Sequence, residues 1–243
     1  MHLDNFTLYF SEPRVSRFLQ ATQGSPIASQ NLYKGNLKVS QAFHPLLGIF
    51  EVVLRNRLND IMTAHFLDSC WITNQRKGFM SDPLLTFIYK KTGLRKTNDF
   101  LIREVNGAEN RLRKAGAHVT AGKVVAELPL GFWTDLFELN HYKLLSGRPI
   151  QIFHSLPAGY GRKEVKDTLD IIRRFRNRIN HNEPICFDGI KIDFTSALNV
   201  YLAIESVLIW IDPALLFFIS DLDQVESTID SVRSMTRTSG RTS

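Results

Sequence analysis

This sequence predicts an all-α helical bundle, and three observations carry the prediction. Apolar residues recur at three-and-four spacing through several long stretches. Strand-like character is confined to one short segment near residues 187–194, around the turn dipeptide Asp188-Gly189. The 243 residues are 44% hydrophobic and include seventeen Phe, enough to bury a core without metal or disulfide support.

Pro13, Gly24, Ser25 and Pro26 punctuate residues 1–30, which read as an N-terminal arm carrying one short helix around Arg14–Thr22. Ser40 reads as the N-cap of a long helix to about Phe66, with Phe43, Leu46, Leu47, Phe50, Leu54 and Leu58 in its buried stripe and Pro45 in its first turns. Two shorter helices are expected at 83–92 and 98–116, separated by Thr92-Gly93. Gly116, Gly122, Pro129 and Gly131 mark a loop-rich passage before a helix at Leu136–Leu145. The clearest period runs from Glu164 to about Asn182, with Val165, Leu169, Ile172, Phe175 and Ile179 on one face, and Pro184 ends it. A small hairpin at 187–194 leads to an apolar helix capped by Thr195 and running to Trp210. A single domain is expected over 31–230, with a flexible, Ser/Thr/Arg-rich tail at 231–243.

The net charge of +6 is unevenly placed. Residues 76–123 form a basic sub-element with eleven Lys/Arg against four Asp/Glu, while the chain from Phe187 onward is acidic. A polyanion such as a phosphate backbone complements that middle segment; a solvated basic hairpin is the other reading. Cys70 and Cys186 belong to no Cys/His cluster, so no zinc site, disulfide, metal or cofactor is expected, and a reducing cytoplasm fits. No apolar window of membrane-spanning length is expected, so no membrane partner is either.

On a helical wheel, Arg176 falls about 40° from Ile172, inside the apolar arc, whereas Arg173, Arg174 and Arg178 can reach water. An arginine there needs a pairing partner or a cleft. Asn177 and His181 are four apart and stand one above the other. Arg176, Asn177 and His181 thus gather a permanent cation, a polar orienting group and a base that titrates near neutrality. RNA cleavage without metal uses such a set: a base for the 2′-hydroxyl, a cation for the phosphorane charge and an acid for the leaving 5′-oxygen. The alternative is structural, a helix end with an ion-paired Arg and a His acting as C-terminal cation. A degenerate copy of the segment, Leu54–Asp60, puts Asp60 where His181 stands.

Arg176-Asn177-Arg178-Ile179-Asn180-His181-Asn182-Glu183-Pro184-Ile185 resembles the signature of the Abi-like (abortive infection) family of HEPN-domain ribonucleases. Phe132-Trp133-Thr134-Asp135-Leu136-Phe137, Leu32-Tyr33-Lys34-Gly35-Asn36 and Glu51-Val52-Val53-Leu54-Arg55-Asn56 resemble its other elements in the same order. The family's His-His-Glu-Pro reads His181-Asn182-Glu183-Pro184 here, which removes the second His. The resemblance implies a HEPN-type bundle and metal-independent RNA cleavage at a site shared across a homodimer. Arg176 would hold the phosphate, Asn177 would orient, and His181 would move the proton. It also implies a toxic effector of phage defence or of a toxin–antitoxin-like system, restrained by a protein or RNA antitoxin. Arg55, Arg173, Arg178, Arg111, Arg113 and Lys114 are the expected further RNA contacts, with Glu51–Arg55 alternatively a structural ion pair. Two competing classes remain: a non-catalytic RNA-binding or regulatory HEPN protein, and a protein-interaction module without RNA affinity.

Overall fold

The computed structural model describes residues 1–238. The chain is 70% helical, with twelve α-helices and two small hairpins among the described residues. It folds into two units, and the division between them falls inside three helices: α3 (Pro26–Phe66), α9 (Arg162–Asn180) and α10 (Thr195–Ile211).

The first unit comprises Met1–Gly48, Arg174–Ser206 and the chain from Ala214 onward. Besides its parts of α3, α9 and α10 it holds α1 (Leu3–Phe10), α2 (Glu12–Ala21), the β3–β4 hairpin (Phe187–Asp188 and Lys191–Ile192), α11 (Ala214–Ile219) and α12 (Val225–Thr238). The expected arm is therefore two helices built into the core. Phe6, Val15 and Phe18 are buried, and Tyr33 receives Phe6 and Phe18 at centroid distances of 5.6 and 5.1 Å. Pro13 does not break α2, because it occupies the first turn, where its missing N–H has no helical partner to lose.

α3 starts fourteen residues before the expected Ser40, at the pair Ser25-Pro26. Ser25 Oγ accepts the Ala28 N–H at 3.3 Å and Pro26 takes the first helical position. Ser40 is mid-helix, and its hydroxyl bonds back to the Asn36 carbonyl at 3.0 Å. Pro45 lies inside the helix, where it withdraws one donor at the exposed Gln41 turn. Likewise Asp193, not Thr195, caps α10, accepting the Thr195 N–H at 2.5 Å.

The 187–194 hairpin forms as expected, with Phe187 opposite Ile192 and Asp188 opposite Lys191. Residues 231–238 continue α12, burying Val232 in register with Val225 and Ile229, so that part of the expected tail is ordered helix. The rest of the tail lies outside the described residues. α12 packs closely on α3 at Gly35: a Cβ there would lie 2.7 Å from Val232 Cγ1. Gly35→Ala should therefore lower unfolding stability by roughly 1–3 kcal/mol through overpacking, and Val232→Ala in the same chain should recover part of the loss in urea titrations.

The second unit, Ile49–Arg173 with Val207–Pro213, holds α4 (Trp71–Asn74), the β1–β2 hairpin (Thr86–Ile88 and Arg95–Thr97), α5 (Phe100–Lys114), α6 (Ala121–Glu127), α7 (Leu130–Asp135) and α8 (Leu139–Leu144), with its parts of α3, α9 and α10. Trp71, Phe132, Trp133, Phe137, Val165, Leu169 and Ile172 are buried in it. The expected helix at 83–92 is instead a 3-10 turn at Pro83–Leu85 followed by the hairpin. Asp82 accepts the Leu84 N–H at 2.8 Å, and the Thr-Phe-Ile-Tyr run that follows suits a strand. Gly93, at φ +67°, makes the reversal, and the expected loop-rich passage carries the short helices α6 and α7.

α3 is long and apolar enough to cross a membrane by length and composition, with a window hydropathy of 1.3, contrary to the expectation that no window qualifies. Phe43, Leu46, Leu47, Phe50 and Leu54 on this helix are buried core residues.

Candidate nucleic-acid site

The C-terminal half of α9 and the turn after it present the trio singled out from sequence. Phe175 and Ile179 anchor this half-helix in the first unit, with Phe175 4.9 Å from Phe43 between ring centroids. Arg176, beside them on the wheel, is half-buried, while Asn177 and His181 are exposed.

Backbone and neighbouring side chains close the helix. The Asn182 N–H bonds the Ile179 carbonyl at 2.9 Å and the Glu183 N–H reaches back to Arg178 at 2.8 Å. This paired closure requires a left-handed residue, and Asn182 supplies it at φ +53°. Arg178 bonds the Pro184 carbonyl and lies 3.5 Å from Glu183, bracing the turn from outside. Buried Asn36 on α3 accepts the Ile185 N–H at 2.7 Å and fixes the exit strand. His181 occupies the last position before the turn, and its imidazole takes part in none of these bonds. Asn182 is thus a residue type that this turn conformation favours.

The other expected RNA contacts are mostly engaged elsewhere. Arg178 is the brace just described. Arg111 bonds the Glu127 carboxylate at 3.1 Å and carbonyl at 2.8 Å, and Arg113 meets Glu109 at 2.9 Å. Glu109 also holds Arg76 at 3.1 Å, so two guanidinium groups share one buried carboxylate. Arg173 is 3.3 Å from Asp170. Arg55 turns its Nε to Asn56 Oδ1 at 3.4 Å. Lys114 is exposed. Arg176, Asn177, His181 and Arg178 lie in the first unit; Arg55, Arg111, Arg113, Lys114 and Arg173 lie in the second.

Sequence reasoning overlooked the charged interior of the second unit. His141 is fully buried, its Nδ1 3.0 Å from the Asp135 carbonyl, and burial holds its pKa below the ordinary value. Lys166, also buried, bonds Glu138 at 2.9 Å and Asp170 at 2.5 Å. Burial pulls its pKa down, but those bonds more than offset this and hold the ammonium charged. The Asp135 carboxyl is pushed up to about 6, first by burial and then by Glu138, against the opposing pull of Lys166, Arg173 and Asn98. The cluster draws Asp135, Glu138 and His141 together with Lys166 and Asp170 some thirty residues on, which is why no local sequence pattern marks it.

Because the folded Asp135 keeps a proton that the unfolded chain releases at about pH 4, its stabilising contribution is complete below that pH and is lost as pH rises to about 6. Asp135→Asn should gain on the wild type by up to roughly 3 kcal/mol between those pH values, read as a flatter profile of chemical-denaturation stability against pH.

Among the described residues no group of three or more His, Cys, Asp or Glu could hold a metal ion. Cys186 is buried, which pushes its thiol up to about 12, and Cys70 is exposed; both are free. The chain matches no family model, no curated protein and no solved structure.

Proposed function

We propose that the protein is a HEPN-type endoribonuclease that cuts RNA by 2′-hydroxyl attack at the Arg176–Asn177–His181 helix end. The observation that carries this reading is the division of labour at that end. Asn182, Arg178, Glu183 and Asn36 complete the helix stop, while Asn177 and His181 remain exposed to solvent beside half-buried Arg176.

In this reading His181 takes the 2′-hydroxyl proton or protonates the leaving 5′-oxygen, and Arg176 stabilises the charge on phosphorus. The 2′-oxygen–phosphorus bond forms and the phosphorus–5′-oxygen bond breaks, leaving a 2′,3′-cyclic phosphate and a 5′-hydroxyl. A single imidazole cannot serve both proton transfers at once, so the proposal places two such helix ends, one from each protomer of a homodimer, around one phosphate. The cellular role that goes with it is a toxic effector of phage defence, held in check by an antitoxin protein or RNA. The test is cleavage of RNA by purified wild-type, Arg176→Ala and His181→Ala proteins.

A second reading, RNA binding without cleavage, is favoured by exposed cations of residues 76–123 that no carboxylate neutralises. It predicts equal RNA affinity for wild type and His181→Ala, with no cut product from either.

A further inference from the structure

The basic sub-element 76–123 has two kinds of cation. Arg76, Arg103, Arg111 and Arg113 are each paired with a carboxylate of the same segment or of Glu127. Lys90, Lys91, Arg95 and Lys96 are exposed, sit together on the β1–β2 hairpin, and have no carboxylate partner among the described residues. No Asp or Glu occurs from Pro83 to Asn98. Lys77, Lys114 and Lys123 are the segment's other cations without a carboxylate partner among the described residues, so the hairpin carries the largest group of them.

That element also carries apolar rings in the open. Thr86 pairs with Thr97, Phe87 with Lys96 and Ile88 with Arg95, and the Tyr89 N–H bonds the Leu94 carbonyl at 2.8 Å. Alternation puts Phe87, Tyr89, Leu94 and Lys96 on one face. Phe87 is 46% exposed, and Lys96 Nζ stands 4.3 Å above the Tyr89 ring, so a cation and an aromatic platform share that face. Two residues along a strand span roughly 6.6 Å, a step that suits unstacked bases and is too long for stacked ones.

We propose that the β1–β2 hairpin is a binding element for single-stranded RNA, with a base stacking on Phe87 and phosphates lying along Lys96 and the turn lysines Lys90 and Lys91. Charge and rings together select this occupant. A duplex keeps its bases from the rings, and an acidic protein would use the cations alone. A bilayer would take an apolar tip first, whereas this tip is Lys90-Lys91-Thr92-Gly93. The hairpin belongs to the second unit and the Arg176–His181 helix end to the first, and the hairpin's role in binding does not depend on cleavage.

The test uses the full chain and a fluorescent 2′-O-methyl oligoribonucleotide, which cannot be cut by 2′-hydroxyl attack, so binding and catalysis are read separately. Replacing Lys90, Lys91 and Lys96 together by Gln should weaken binding at least tenfold and reduce the slope of log affinity against log salt by about 2. Phe87→Ala alone should weaken it roughly tenfold with the salt slope unchanged. Replacing the three lysines by Arg should restore affinity, and circular dichroism melting should be the same for all variants. Unchanged affinity of the Gln or Ala variants, equal affinity for a duplex of the same sequence, no binding by the wild type, or hairpin-dependent binding to phosphatidylserine vesicles in place of RNA would each overturn the proposal.

Discussion

His181→Ala is expected to remove RNA cleavage, by a factor on the order of 10²–10⁴ for the loss of a positioned proton-transfer group, with no change in melting temperature beyond a degree or two. Both halves of that expectation come from the same helix end. The imidazole is exposed and lies outside the bonds that close α9, which run from Asn182 to Ile179 and from Glu183 to Arg178. Its removal costs at most the weak attraction of a cation for a helix C-terminus, a few tenths of a kcal/mol at an exposed position. A residue with that profile is dispensable for folding. If cleavage falls together with stability, His181 belongs to the structural turn and the proposed chemistry loses its proton carrier.

Asn36→Ala carries the opposite signature. Asn36 is 2% exposed, and its Oδ1 accepts the N–H of Ile185, itself 1% exposed, at 2.7 Å. Truncation leaves a buried backbone donor without a partner and opens a small void, together worth about 2 kcal/mol. A drop in Tm of about 4–8 °C should follow for a chain of this size, measured by calorimetry or circular dichroism. The bond joins residues 149 positions apart, α3 to the segment leaving α9. Its loss should therefore also raise amide exchange from Glu183 to Phe187 above that of the α1–α2 region. Asn36→Asp, which keeps the acceptor, should recover much of the exchange protection.

These two residues show what could be read in advance and what could not. Long helices announced themselves by period: α5, α9 and α10 lie within two residues of expectation at each end. The 187–194 hairpin followed from Asp188-Gly189. The start of α3 was missed because Ser25-Pro26 was read as loop punctuation, although a capping hydroxyl followed by Pro at the first helical position is itself a helix-start signal. Residues 83–92 were misassigned because Leu84, Leu85, Phe87 and Ile88 satisfy a helical spacing; β-branched and aromatic content over Thr86–Tyr89, with Gly93 in the left-handed region, decided the strand.

The site was half legible. The wheel puts Arg176 inside the apolar arc, where the structure leaves it half-buried. It also freed Arg178, which the fold uses as a brace through Pro184 and Glu183, partners that lie beyond the helix and so off any wheel. Arg111 and Arg113 looked like one basic patch on α5 because Glu127 and Glu109 neutralise them only in three dimensions. Several residues that carry the family resemblance turn out to be architectural: Leu32, Tyr33, Phe132 and Trp133 are core, Gly35 admits Val232, and Asn36 holds Ile185.

End-group analysis of RNA incubated with the purified protein in excess EDTA tests that chemistry most directly. Wild-type protein should yield fragments ending in a 2′,3′-cyclic phosphate opposite a 5′-hydroxyl, and His181→Ala should yield none. Fragments with a 3′-hydroxyl and a 5′-phosphate, or the same products from His181→Ala at the wild-type rate, would contradict 2′-hydroxyl attack at the end of α9.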